Sequence, residues 1–178
     1  MIWKSLIAVI VVLALVVGVS LQTRSTARVE HTLPAPVAKV WTTWNDPESM
    51  KQWWGPDGYS APVVKNDLKV GGKYLLAMKS PGGEVSYNAG TYTEVVEHQK
   101  IVSDLVFSDE NGNALAGNQI PVPGNWPDTV KMTVLFKDLD GTRTHVSITE
   151  EGIPLIMKLF AQLGWKQQFG KLEKILAQ

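Results

Sequence analysis

Residues 153–178 read IPLIMKLFAQLGWKQQFGKLEKILAQ, and how this stretch is covered decides the fold. Pro154 suits the first turn of a helix, where its missing N–H would lack a partner anyway. No further proline follows, so the sequence predicts a helix to the end of the chain. Ile156, Phe160 and Leu163 fall on one face. Trp165, Phe169, Leu172 and Leu176 fall on another, nearly opposite at about 100° per residue. Gly164 stands at the changeover, so the helix either kinks there or is covered first on one side and then on the other. A helix that needs so much cover, arriving after many short extended segments, points to a curved sheet gripping it.

Those extended segments alternate apolar and polar residues. Val130, Met132, Val134 and Phe136 interleave with Lys131, Thr133 and Lys137, the pattern of a strand with one buried face. Strands are also expected over residues 28–33, 59–67, 73–79, 85–97, 100–107 and 142–150, with Gly71-Gly72, Pro81-Gly82-Gly83 and Asp140-Gly141 as turns. Two short helices follow the first strand, one from Val37 to Trp44 and one from Glu48 to Trp53, with Asn45-Asp46-Pro47 between them. The connections are too short for parallel crossovers, so the sheet is expected to be an antiparallel meander. Residues 108–128, rich in Asn, Gly and Pro, read as a long surface loop, either mobile or functional. The expected class is α+β: six to seven antiparallel strands curved around a long C-terminal helix.

The first thirty residues are different in kind. From Ser5 to Thr23 there is no charge, and these nineteen residues as helix would reach about 28 Å, close to the hydrocarbon thickness of a bilayer. An uncleaved transmembrane anchor over residues 1–24 is the expectation, with a globular domain over 25–178. A cleaved signal peptide, with Gly18 and Ser20 as its small residues, is the alternative. Basic residues flank the run on both sides, so charge does not orient it. The very short N-terminal tail favours a single-pass protein with its domain outside the cytoplasm.

Composition excludes several classes. Seventeen basic and seventeen acidic residues cancel, which leaves no electrostatic signature of a nucleic-acid partner. The chain has no cysteine, so disulfides, thiolate metal sites and a cysteine nucleophile are ruled out, and three scattered histidines do not suggest a metal site. His31, His98 and His145 read as surface residues, and His145 belongs to the face opposite Val146 and Ile148. Glu94 with Glu97, and Glu150 with Glu151, supply carboxylates, but same-strand neighbours point to opposite faces and cannot pair as acid and base. No catalytic set, metal or cofactor is expected.

Several stretches carry a resemblance. They are Pro34 to Trp41, Asn45-Asp46-Pro47, Trp53-Trp54-Gly55-Pro56, Asp67 to Gly72, Gly90 to Val95, Gly141-Thr142-Arg143 and Gly164-Trp165. With their order along the chain, they resemble the helix-grip (START or Bet v 1-like) superfamily. Within it they resemble the family named for the activator of Hsp90 ATPase homologue, also called polyketide cyclase-like. The resemblance spans about Arg28 to Leu176. It implies a cavity between sheet and helix that takes a hydrophobic small molecule or lipid.

Alternation offers Tyr74, Leu76, Met78, Tyr87, Met132, Val134, Phe136, Val146 and Ile148 to line such a cavity, with Phe160 and Leu163 from the helix. The same side chains could equally fill the space by packing on each other. Trp41, Trp44, Trp53 and Trp54 cluster nearby, with Trp54 expected to face the pocket most. A binding domain is the leading expectation, and a cyclase- or dehydratase-type enzyme the alternative. An adaptor for a chaperone ATPase or other protein is a third, and would require the domain to share a compartment with that partner. The apolar stretch Ile153–Leu163 could also rest on a bilayer surface.

Overall fold

The computed structural model describes the backbone over residues 2–178 and side chains from residue 10. Its central element is a seven-stranded antiparallel sheet in the order β1-β7-β6-β5-β4-β3-β2. The strands are β1 (Arg24–Leu33), β2 (Val64–Asn66), β3 (Lys73–Lys79), β4 (Val85–Val96), β5 (Lys100–Ser108), β6 (Val130–Asp138) and β7 (Thr144–Pro154). All neighbours but β1 and β7 are also neighbours in sequence. The meander is therefore closed by the first strand adding to the last, Val29 opposite Ile148 and Leu33 opposite Thr144.

Helices α2 (Val37–Asn45) and α3 (Pro47–Trp53) join β1 to β2. Asp46 separates them and caps the second, its carboxylate accepting the Ser49 N–H at 2.8 Å. The Pro34–Pro36 bend is fixed from the sheet, because the buried Thr144 hydroxyl donates to the Ala35 carbonyl at 2.8 Å. The last helix, α4 (Lys158–Leu176), lies across the concave face. Lys39 donates to the Leu176 carbonyl at 3.0 Å, a cation at the negative end of α4.

The late stripe of α4 is core. Trp165, Phe169, Leu172 and Leu176 are all 5% exposed or less, packed with Trp41, Trp44, Trp53, Val134, Phe136, Val146 and Ile148. Trp44 is the hub, with ring centroids 4.8 Å from Trp53, 5.5 Å from Phe136, 6.1 Å from Trp165 and 6.2 Å from Phe169. Aromatic pairs at such separations add stabilisation beyond their area. Tyr74 crosses the facing residue of the next strand, and a Cβ on Gly90 would lie 2.2 Å from its ring. Only glycine fits there.

Three expectations need correction. Pro154 is not the first residue of a helix; it is the last residue of β7, paired with Arg24, and a 3-10 turn (Leu155–Met157) comes before α4. The helix runs unbroken through Gly164, and its early stripe is uncovered: Phe160 is 63% and Leu163 49% exposed. The strand expected over residues 59–67 is ladder-paired only at Val64–Asn66, with a single bridge from Ser60 to Lys79.

The N-terminal helix α1 covers Ile2–Gln22. Among the described residues, no helix is long and apolar enough to cross a membrane. The part of α1 with described side chains, residues 10–22, spans about 20 Å. Residues 1–9 of the expected anchor lie outside the described side chains. Helix α1 leads directly into β1, and its end is tied down: Asn125 N–H donates to the Leu21 carbonyl and Leu155 N–H to the Thr23 carbonyl, both at 2.8 Å.

The contrast between the stripes of α4 sets a first prediction. Phe169→Ala and Leu172→Ala should each cost about 2–5 kcal/mol as cavity-forming changes, whereas Phe160→Ala should cost about 0.5 kcal/mol or less. Chemical denaturation followed by circular dichroism measures all three, and equal losses would contradict the assignment of core and open faces.

Candidate functional site

The inward rows of the strands fill only part of the space under α4. Toward the free ends of β4, β5 and β7 a cavity of about 560 Å³ is left, within the range of small-molecule sites. The strands bring Met78, Ser86, Asn88, Leu105, Phe107, Val130, Glu150 and Ile153 to it. Helix α4 and the turn before it bring Met157, Phe160, Ala161, Leu163, Gly164, Trp165 and Gln168. Val122 and Trp126 reach in from the long loop, so that loop is part of the site. It is built to hold Trp126 in place: the indole N–H donates to the Val122 carbonyl at 3.0 Å, and the ring meets Phe107 edge-on at 4.8 Å. Gly124 sits there at φ +118°, so close to Pro154 that a Cβ would lie 2.4 Å from it.

The opposite wall is the turn after α3. Trp54 and Pro56 line the cavity, and α4 pins the turn through its polar side chains. The buried Gln168 accepts the Gly55 N–H at 2.9 Å, and Gln167 accepts the Asp57 N–H at 3.1 Å. The Lys171 ammonium donates to the carbonyls of Gly55 at 2.8 Å and Pro56 at 2.9 Å. Four side-chain hydrogen bonds from one helix make this wall rigid. Trp54 is 6% exposed, and its indole N–H is buried with no hydrogen-bond partner among the described residues.

One carboxyl group enters this apolar space. Glu150 continues the inward row Val146, Ile148 of β7 and accepts the Trp165 indole N–H at 3.0 Å. It forms no ion pair among the described residues. Burial pushes its carboxyl above the usual carboxylate range, and the Trp165 hydrogen bond offsets part of that. The side chain keeps some accessible surface because it faces the cavity.

A second, much smaller void of about 20 Å³ lies deeper, between Tyr74, Met132, Val134 and Trp54. It has room for about one water molecule. Around it Tyr74 and Ser103 hydroxyls lie 3.2 Å apart, and the Tyr92 hydroxyl donates to Asn66 at 2.6 Å. Burial raises the pKa of both tyrosines.

The residues expected to line a pocket thus divide. Trp54, Met78, Phe160 and Leu163 border the large cavity. Tyr74, Met132 and Val134 border the small void, and Trp54 borders both. Phe136 is core, edge-on to Trp41 at 5.2 Å. Tyr87 is a correction: it pairs with Ala77 and Ser108, whereas its neighbours Ser86 and Asn88 pair with Met78 and Leu76 and share the inward face. The phase of β4 is set by hydrogen-bond register, which turns Tyr87 to the face opposite Ser86 and Asn88. Glu150, Trp126 and Phe107 were not singled out as lining residues. The alternation of Val146 and Ile148, continued by two residues, is the signal that points to Glu150; nothing local points to Trp126.

The histidines stand apart from the cavity. His31 stacks on Phe169 at 5.1 Å, so it is half-buried against the core and not simply a surface residue. His98, at φ +59°, meets Trp41 edge-on at 5.8 Å. His145 Nδ1 lies 3.4 Å from the Thr32 hydroxyl. Among the described residues no group of three or more His, Asp or Glu side chains could hold a metal ion.

A curved antiparallel sheet closed on a long C-terminal helix, with a lateral cavity between them, is the helix-grip architecture. The chain belongs to the family of activator of Hsp90 ATPase homolog 1-like proteins, whose pattern it matches over residues 34–177. A comparison with curated proteins yields no match. Among solved structures, a protein of Chromobacterium violaceum is 26% identical, with a TM-score of 0.69 over 85% of this chain and 96% of that one. A Mycobacterium smegmatis protein is 22% identical, with a TM-score of 0.70 over 85% and 90%. The AHSA1 protein of Silicibacter pomeroyi is 18% identical, with a TM-score of 0.69 over 86% and 98%. The last two show the shared fold alone.

Glu150 yields a prediction with a definite sign. Its folded pKa is raised, so whatever stability its protonation confers is present below the ordinary value of about 4.3 and lost as pH climbs above it. Glu150→Gln keeps an acceptor for Trp165 and removes the charge. Its melting temperature should match wild type near pH 4 and exceed it by a few degrees at pH 7. A difference independent of pH would show that the carboxyl is not held in a desolvated site.

Proposed function

We propose that this protein is a binding domain for a hydrophobic small molecule or lipid, held in the cavity between sheet and α4. The observation that carries this reading is the 560 Å³ cavity itself, walled by Trp54, Phe107, Trp126 and Trp165 with few polar groups. Space of this size lined by aromatic side chains forfeits dispersion contacts when empty and regains them from an apolar guest. A cyclase- or dehydratase-type reaction is the alternative. It would have to work from Glu150, the one carboxyl lining the cavity among the described residues. An adaptor role would leave the cavity without a purpose.

The reading includes attachment to a bilayer through α1. Ile10, Val11, Val12, Leu13, Leu15, Val16, Val17 and Val19 are each 48–63% exposed, on all sides of the helix. So much uncovered apolar surface in water is unfavourable at about 25 cal/mol per Å², and a lipid environment removes that cost. Leu155, Leu159, Phe160 and Leu163 are exposed near the end of α1, beside the mouth of the cavity. In this arrangement the mouth faces the membrane and the ligand exchanges with it. The side of the membrane is proposed to be extracytoplasmic.

Two measurements test these points. Organic extraction of the purified full-length protein, followed by mass spectrometry, should recover a stoichiometric hydrophobic compound. Ala161→Trp, which fills the cavity, should lower that recovery about tenfold with the fold intact. No compound in the wild type, with no uptake of added hydrophobic probes, would refute the binding reading. Separately, the chain should stay with membranes through a carbonate wash, and deletion of residues 1–22 should release it. A full-length chain found in the soluble fraction would refute the anchor.

A further inference from the structure

The cavity has one feature that a container for a plain hydrocarbon does not need. Glu150 places a carboxyl group among aromatic rings, and replacing it by an apolar residue of similar size would remove a desolvation cost. The carboxyl is held in a set direction. Oε1 accepts the Trp165 indole N–H at 3.0 Å, and Oε2 has no hydrogen-bond partner among the described residues. Lys171, a cation on the same helix as Trp165, is turned away onto the carbonyls of Gly55 and Pro56. Among the described residues, Glu150 has no counter-charge.

Trp54 and Trp165 both border the cavity and pack edge to face, with centroids 5.6 Å apart and planes at 79°. Glu150 meets Trp165 at its N–H edge, which fixes one carboxylate oxygen and leaves the other to the cavity. A desolvated carboxylate with one free oxygen and no cation among the described residues is complementary to an ammonium group. The remainder of the cavity, with Met78, Phe107 and Trp126, is complementary to an apolar body.

Resting on the reading of this cavity as a ligand site, we propose that its ligand is a hydrophobic amine. The protonated nitrogen seats against the free carboxylate oxygen of Glu150. The buried carboxylate, unfavourable in the empty protein, becomes half of an ion pair. Neutral lipids and fatty acids of the same bulk gain nothing at this point, and a fatty acid places two carboxylates together.

Calorimetric titration of the full chain in phosphatidylcholine nanodiscs tests the inference, with empty nanodiscs as the blank. The probes are 4-phenylbutylamine, 4-phenylbutan-1-ol and 4-phenylbutanoate, which share one apolar body. The amine should bind about tenfold more tightly than the alcohol, as a desolvated charge-assisted hydrogen bond allows, and the carboxylate most weakly. In Glu150→Gln the ratio of amine to alcohol affinity should fall to about one, since only the charge pairing is removed. Equal affinities of amine and alcohol in the wild type overturn the proposal while leaving the hydrophobic-ligand reading in place. That comparison needs no variant to fold. A preference for the amine that survives in Glu150→Gln also overturns it. If none of the three binds, the cavity reading falls first.

Discussion

Trp165 holds the two halves of this interior together. One face of its indole lies parallel to Trp44 at 6.1 Å, in the solid core under α2 and α3. Its N–H reaches the other way, to Glu150 at the cavity wall. Along α4, Phe169, Leu172 and Leu176 after Trp165 are buried, whereas Leu159, Phe160 and Leu163 before it are exposed. A helix that must bury Phe169 and Leu172 completely has its rotation about its own axis fixed, because turning it would expose side chains worth about 1.5–3 kcal/mol each. Once that rotation is fixed, Phe160, Leu163 and Gly164 have no choice of position. They fall where the sheet is too far away to meet them, and a cavity results.

The depth of that gap is maintained by groups that do not touch the space. The turn carrying Trp54 would collapse inward if it were free. Gln168 and Lys171 prevent this by bonding to both the N–H and the C=O of Gly55. On the far side Trp126 is propped on Phe107 and on its own loop. Well-packed interiors leave few voids larger than a water molecule. A void of this size in an otherwise dense fold is thus kept by built supports on both walls.

The sequence made the class of fold legible because two periodicities were strong and local. The alternation over Val130–Phe136 and the spacing of Trp165, Phe169, Leu172 and Leu176 each predict one buried face, and both faces are buried. Errors arose where a long-range pairing decided the matter. Pro154 has the local character of a helix start, but β1 extends along β7 as far as Arg24, and this pairing holds Pro154 in the strand. Tyr87 has the bulk expected of an inward residue, but it pairs with Ala77, on the opposite face of the sheet from Leu76 and Met78. The early stripe Ile156, Phe160, Leu163 is genuinely apolar; what is absent is the cover that the pattern implied. Where apolar residues stay exposed, periodicity still shows a face but cannot say what covers it.

The same limit explains why a cavity was the least legible part. Packing and binding draw on the same residue types, so Val146 and Phe136 in solid core look no different in sequence from Val130 and Phe107 at the cavity. A polar residue in an inward position is the better sign, because it is costly unless something answers it. Ser103 is answered by Tyr74, and Asn66 by Tyr92. Thr144 is answered by Ala35. Glu150 is answered on one oxygen only, and the other faces the open space. A carboxyl group left half-answered in a dry site weakens the empty fold. The chemistry that would complete it lies outside the chain.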